Sequence, residues 1–205
     1  METLSWTEDT RSGWSRFIIS LIQRNPEAIA RFNIKASEAL QDALNDFKSN
    51  YAKHRRPTDP ATFEEYATKI GPNPVGRACA LLLAKVIDSE NVGAHINQMR
   101  WSVLSISNAQ FPLLTSDRPV IKTNGILRPD SHIVMPIAPH TIFVATNNIE
   151  MENEIRRVAP SDFVEAVNNQ VTLRARKYVY GQDDSQLRFV ANRFGRVVQD
   201  SAKLF

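Results

Sequence analysis

The sequence predicts an α+β fold: a helical N-terminal half, a small, mainly antiparallel sheet in the middle, and C-terminal helices packing on it. Three observations lead there. Apolar residues recur at helical spacing up to about Gln98. Short alternating apolar runs fill the stretch from Met99 to Thr146, and helical spacing returns from about Glu150. Helices gathered before and after a run of strands indicate α+β rather than doubly wound α/β. A chain of 205 residues suits a single domain, 1–205, with a helical subdomain over 1–98 and the sheet plus C-terminal helices over 99–205.

Each element has a local reason. Thr7 or Ser5 can cap a first helix whose Trp14, Phe17, Ile18, Leu21 and Ile22 form one apolar stripe. Asn25-Pro26 ends it and starts a second helix, which runs to about Ser49. Tyr51–Pro60, with two prolines, reads as an exposed loop. A third helix follows Asp59-Pro60 and stops at Gly71. Asn73-Pro74 opens a fourth, whose nearly continuous apolar run, Ala78–Ile87, predicts burial in the middle of the helical layer. A short segment capped by Ser89 ends near Gln98.

Trp101, Val103, Leu104 and Ile106 then make a strand, with Phe111–Ser116 expected to pair with it. Lys122–Ser131, containing Asn124-Gly125 and Pro129-Asp130, is turn-rich. Ile133–Ile137 and Thr141–Thr146 read as an antiparallel pair around Pro139 and His140. Ser161 and Asp162 are cap candidates for a helix expected to carry Phe163 through Val179, and a last helix is expected over Gln186–Phe194, closed by Gly195.

Composition narrows the function classes. With 42% apolar and 23% charged residues the chain is ordinary for a soluble globular protein. The net charge of +3 is spread out: residues 1–98 balance at 12 basic and 12 acidic, 99–149 give 4 against 2, and 150–205 give 9 against 8. A concentrated basic face of the kind dedicated nucleic-acid binders carry is therefore not visible along the chain. One cysteine, Cys79, excludes an intramolecular disulfide and a multi-cysteine zinc site, and its apolar setting reads as a small core residue. No apolar run is long enough to span a bilayer, and the N-terminus lacks the pattern of a signal peptide, so a cytoplasmic location and no membrane partner are expected.

The blocks MRWSVL (Met99–Leu104), LLTSDRPV (Leu113–Val120), PDSHIVMPIAP (Pro129–Pro139), IFVAT (Ile142–Thr146) and VNNQVTLRARKYVY (Val167–Tyr180) carry a resemblance. In order and spacing they are similar to the bacterial family catalogued as domain of unknown function 4238. The N-terminal WTEDTRSGWSRFIISLIQRNPE resembles that family's middle segment. Longer members of the family place a histidine- and tyrosine-rich segment before the point where this chain begins. The resemblance implies kinship and supplies no catalytic residue to carry over.

The candidate site residues come from the strand-end and late-helix motifs. Asp117 and Arg118 close an apolar strand, where an ionised pair needs partners. One role for Arg118 is to hold a phosphate or carboxylate with its planar fork, while Asp117 serves as base or ligand. The other is an Asx-type turn, with Asp117 accepting backbone N–H groups and Arg118 pairing with a carboxylate. Asn168, Asn169, Arg174, Arg176 and Lys177 belong to the expected penultimate helix and are candidates to orient a polar ligand. The plainer reading is a solvated basic face with an asparagine satisfying buried strand-end carbonyls. Trp101, Tyr178 and Tyr180 can stack on a base or sugar, or belong to the core.

A metal site has only Asp130 and His132, with His140 and His95, to draw on, Asp117, Asp130 and His132 being the ligands in a hydrolase reading, and the spacing expected of metal ligands is missing. No phosphate loop, nucleophile elbow or zinc-protease motif occurs, so no cofactor is expected and the catalytic residues, if any, stay unassigned. The leading expectation is a binding or accessory domain in which Asp117, Arg118, Asn168, Arg174 and Arg176 engage an anionic ligand or nucleic acid. Alternatives are a metal-dependent phosphodiesterase and a protein-interaction module with a protein partner or oligomer.

Overall fold

The computed structural model describes residues 6–24, 26–122 and 125–196. The expected roles of Ser5, Asn25 and Asn124 lie outside the described residues. In chain order the elements are α1 (Glu8–Gln23), α2 (Pro26–Ser49), α3 (Tyr51–His54), α4 (Phe63–Ile70), α5 (Pro74–Ile87) and α6 (Glu90–Gln98). The strands β1 (Arg100–Ser105), β2 (Thr115–Ser116), β3 (Ile121–Lys122), β4 (His132–Ala138) and β5 (Thr141–Thr146) follow. Then come α7 (Ile149–Arg157), α8 (Pro160–Arg174), β6 (Val179–Tyr180) and α9 (Leu187–Ala191). The α+β class read from the sequence is the observed one. The chain divides into two compact units, residues 26–89 and residues 1–25 with 90–205.

The helical unit of 26–89 is built from α2 to α5. Asn73 sits in the left-handed region, at φ 53°, and its side chain accepts the Gly76 N–H, which starts α5 as the sequence predicts. Phe47, Tyr51, Phe63 and Tyr66 form a ring cluster, with Phe47 and Tyr51 edge to face at 5.6 Å. The stretch after Ser49 is not wholly loop. It contains α3, and the buried Tyr51 donates its hydroxyl to the Pro60 carbonyl. The expected burial of α5 is corrected. Cys79 is its buried residue, whereas Leu81 is 67% exposed and Leu82 and Val86 face outward. Within its unit α5 packs chiefly on α2, so one face is covered and the other is not.

The second unit holds a four-stranded antiparallel sheet of order β1-β5-β4-β3, and a two-stranded ribbon, β2-β6. The tight β4–β5 connection at Pro139-His140 is as expected. The strand partners differ from expectation in one place: β1 pairs with β5, and Thr115–Ser116 pairs with Val179–Tyr180 instead of with β1. Pairing with a neighbour in sequence is what short-range patterning alone favours. Here the segment after β1 leaves the sheet once the Ile106 N–H reaches the His140 carbonyl and the Leu113 N–H the Pro139 carbonyl.

Both sheet faces are covered, which explains why β4 and β5 are buried almost without alternation. Ile142 and Val144 belong to a cluster with Val134, Phe163, Val164, Val167 and Val171, the core between sheet and α8. Phe143 points the other way and meets Trp14 of α1 and Trp101 of β1, edge to face at 5.6 and 5.3 Å. Thr7 caps α1, and Arg11 fixes the helix by donating to the Asn97 and Met99 carbonyls while its guanidinium lies 4.0 Å over Trp101. No helix among the described residues is long and apolar enough to cross a membrane.

The edge strand β1 is tied to α7 through Glu152. Its carboxylate accepts from Arg100 at 2.8 Å, Ser102 at 2.8 Å and Arg156 at 2.9 Å. Burial pushes its pKa up, but the hydrogen bonds from Arg156, Ser102 and Arg100 outweigh burial and bring it from 4.5 down to about 2. A folded pKa below the unfolded one means stability gained above pH 4.5 and lost as pH falls from there through about 2.

Two outcomes follow. Phe143→Ala, which empties the contact with both tryptophans, should cost about 3–5 kcal/mol in urea unfolding. Glu152→Gln should lower the melting temperature at neutral pH and flatten the acid-side loss of stability; an unchanged acid limb would refute the network's role.

Candidate functional site

Asp117 lies just past β2, and its position decides the geometry of the late-chain motif. One carboxylate oxygen accepts the Arg176 N–H at 3.0 Å and the other accepts the Lys177 N–H at 2.9 Å. The Asp117 N–H in turn donates to the Tyr178 carbonyl at 3.2 Å. Two successive backbone N–H groups pointing at one anion form a concave anion cradle, filled here from within the chain. The next residue, Arg118, is half-buried, and its N–H donates to the Ser116 hydroxyl.

This arrangement corrects the expected extent of the helix. α8 ends at Arg174 rather than running to Val179. Ala175 turns extended at ψ 144°, and the next two amides leave the helical pattern for Asp117. The helix start also differs from expectation: Ala159 is at the cap position and Pro160 follows, while Ser161 accepts the Gln110 N–H instead. After a bend at Arg176 and Lys177 the chain becomes a strand at Val179–Tyr180, whose side chains point to opposite faces, and Tyr178 stacks on Tyr180. Val179 packs against the core. The tyrosines are 58% and 53% exposed and stack at 6.0 Å with their planes 26° apart.

The other candidates are distributed as follows. Arg174 is half-buried at the end of α8, and Arg176 and Lys177 are exposed. Asn168 is buried, away from that surface. Its oxygen accepts the Leu114 N–H at 2.8 Å, and its amide donates to the Pro112 carbonyl and to Gln186. Asn169 accepts from Arg193, and Thr172 is fully buried. Trp101 belongs to the tryptophan cluster beneath α1.

Asp117, Asp130 and His132 are not gathered into a metal site. Asp130 pairs with Arg128 at 3.0 Å in an exposed turn. His132 is buried at the start of β4, where burial, opposed by the contact with Asp130, lowers the pKa of its imidazole. His95 meets the Ile126 carbonyl and Asn147, and His140 is in the β4–β5 turn. Among the described residues, no three His, Cys, Asp or Glu side chains are placed to hold a metal ion.

Among the described residues of this unit, two hollows bear on the site. One, of about 300 Å³, is lined by Phe111, Asp162, Glu165 and Phe189, with Asn168 and Gln186 also on its wall. The other, of about 260 Å³, is a mainly apolar groove between the end of β4 and the β2–β6 ribbon, and Tyr180 lines it. Its walls were not foreseen from the sequence. The one available signal was Pro136-Ile137-Ala138-Pro139, an apolar strand end flanked by prolines, where Ile137 is 43% exposed.

Asp117→Asn puts an amide donor against one of two N–H donors. The variant should lose about 1–2 kcal/mol of stability, since charge-assisted hydrogen bonds are stronger than neutral ones and this pair is partly solvated. Amide hydrogen exchange at Arg176 and Lys177 should accelerate; unchanged protection there would refute the clamp.

Comparison with known proteins comes to one positive result. A search of curated proteins finds no match, and a search of solved structures finds none. The family model described as Protein of unknown function (DUF4238) matches residues 2–185, nearly the whole chain, and the protein belongs to that family.

Proposed function

We propose that this chain is a binding domain for an anionic, phosphate-bearing ligand, recognised by the surface around the Asp117 clamp. The observation that carries the reading is the use of the Asp117 carboxylate on the Arg176 and Lys177 amides. That use holds the backbone of two exposed cationic residues in one place, beside Arg118 and the end of α8. Preorganised cations bind better than mobile ones, because less backbone entropy is lost on association.

In this reading Asp117 positions the site and Arg176, Lys177 and Arg118 supply the charge. Arg174 completes the basic stretch. Asn168 supports the floor of the region through the Pro112–Leu114 backbone and does not meet the ligand. A phosphorylated small molecule and a nucleic acid share the required chemistry. The buried single thiol, Cys79, fits a reducing, cytoplasmic setting.

The phosphodiesterase reading built on Asp117, Asp130 and His132 draws no support from the geometry: His132 contacts Asp130, but among the described residues no three such side chains are placed to hold a metal ion. A protein-interaction surface is favoured by one observation, the outward leucines of α5 on the helical unit.

The test is titration of a fluorescent polyanion at several salt concentrations. With three cations engaged, the log–log slope of affinity against salt should be about −2. Reversing the charge of Arg176 and Lys177 to Glu should weaken binding tenfold or more at low salt. Binding that ignores both salt and charge reversal would end this reading.

A further inference from the structure

Resting on that reading, we infer that the groove beside the stacked tyrosines receives a nucleobase, so that the ligand class is a nucleotide unit, free or within a single strand. The argument starts with the strand alternation. Val179 faces the core, which leaves Tyr178 and Tyr180 standing in water, each more than half exposed. A stacked pair at 6.0 Å offers a large aromatic contact area at low entropy cost, since each ring turns about only two χ angles. The ribbon fixes it further: Thr115 pairs with Tyr180, and Asp117 bonds the Tyr178 carbonyl.

The groove completes the slot. Tyr180 lines it together with the apolar side chains of Leu113, Pro136, Ile137 and Pro139. Gly181 keeps the corner tight, because a Cβ there would lie 3.1 Å from both the Asp183 carbonyl oxygen and the Leu114 side chain. At about 260 Å³ the groove falls just under the usual range for drug-sized ligands, which suits one ring system with its sugar.

Charge and ring surface also sit on one short stretch of chain. Arg176 and Lys177 precede Tyr178 directly, so a phosphate on the cations leaves the attached base within reach of the tyrosines. Stacking tolerates any base, which is how single-strand binders combine a basic track with aromatic platforms. An anion without rings would use the cations and leave both tyrosines and the apolar walls idle. A nucleotide uses all three.

The test uses the full chain with three probes at fixed salt: a mononucleotide, a ten-residue oligothymidylate, and inorganic polyphosphate of similar charge. Tyr180→Ala should weaken nucleotide and oligonucleotide binding roughly tenfold, the scale of one lost stacking contact, and leave polyphosphate binding unchanged. Tyr180→Phe, which keeps the ring, should restore base-dependent binding. Ile137→Trp, which fills the groove with a larger side chain, should act like Tyr180→Ala.

A mononucleotide bound as tightly as the oligomer identifies a free nucleotide as the ligand; affinity that grows with length identifies a strand. Either supports the inference. If polyphosphate binds as well as the oligonucleotide and Tyr180→Ala changes nothing, the inference fails. The charge-based reading survives that result, provided the Arg176 and Lys177 reversal still abolishes binding. If no probe binds the unaltered chain, both fail together.

Discussion

One carboxylate and two neighbouring amides determine what this protein presents to solvent. Without Asp117, the N–H groups of Arg176 and Lys177 would need other partners, and continuing α8 would be the nearest way to find them. By taking both, Asp117 ends the helix where the core no longer needs it. It also turns the next residues into a strand that pairs with β2. The period of the chain changes from 3.6 to 2 within a few residues, and with it the direction in which each side chain points. Exposed cations, the outward tyrosines and the inward Val179 all follow from that change.

Buried polar side chains perform similar work elsewhere in the same unit. Asn168 and Gln186 satisfy the backbone of Pro112 and Leu114, a stretch that leaves the sheet and would otherwise bury unpaired groups. Asn147, bonded to the Ile126 and Arg128 carbonyls, holds the turn before β4, and Asn148 caps α7 while reaching the Pro129 carbonyl. These residues look like ligand-binding candidates when only their type is known. Their partners show that they fix irregular backbone, which is how a small sheet carries long connections on both sides.

The two compact units also differ in how they hold together. The sheet unit buries a continuous apolar cluster against α8 and a tryptophan cluster against α1. The helical unit depends on a ring cluster and buries few side chains fully, Tyr51 and Cys79 among its described residues. A unit of that size with so thin a core gains little from apolar burial alone. The surface proposed to bind lies on the sheet unit, the one with the larger buried core.

The sequence by itself determined the class of fold, most helix starts and the β4–β5 hairpin, because caps, prolines and apolar spacing act over a few residues. Thr7 and Asn73 do at their positions what their types imply. It also offered Asp117, Arg118, Asn168, Arg174 and Arg176 as candidates for a site. Only the tertiary structure decided that Asp117 spends its charge on backbone some 60 residues away, that β2 pairs with β6, and that α5 leaves leucines in water. These outcomes depend on which distant groups meet. A carboxylate has the same local preferences whether its partner is a metal, a ligand or an amide, and packing across the fold selects among them.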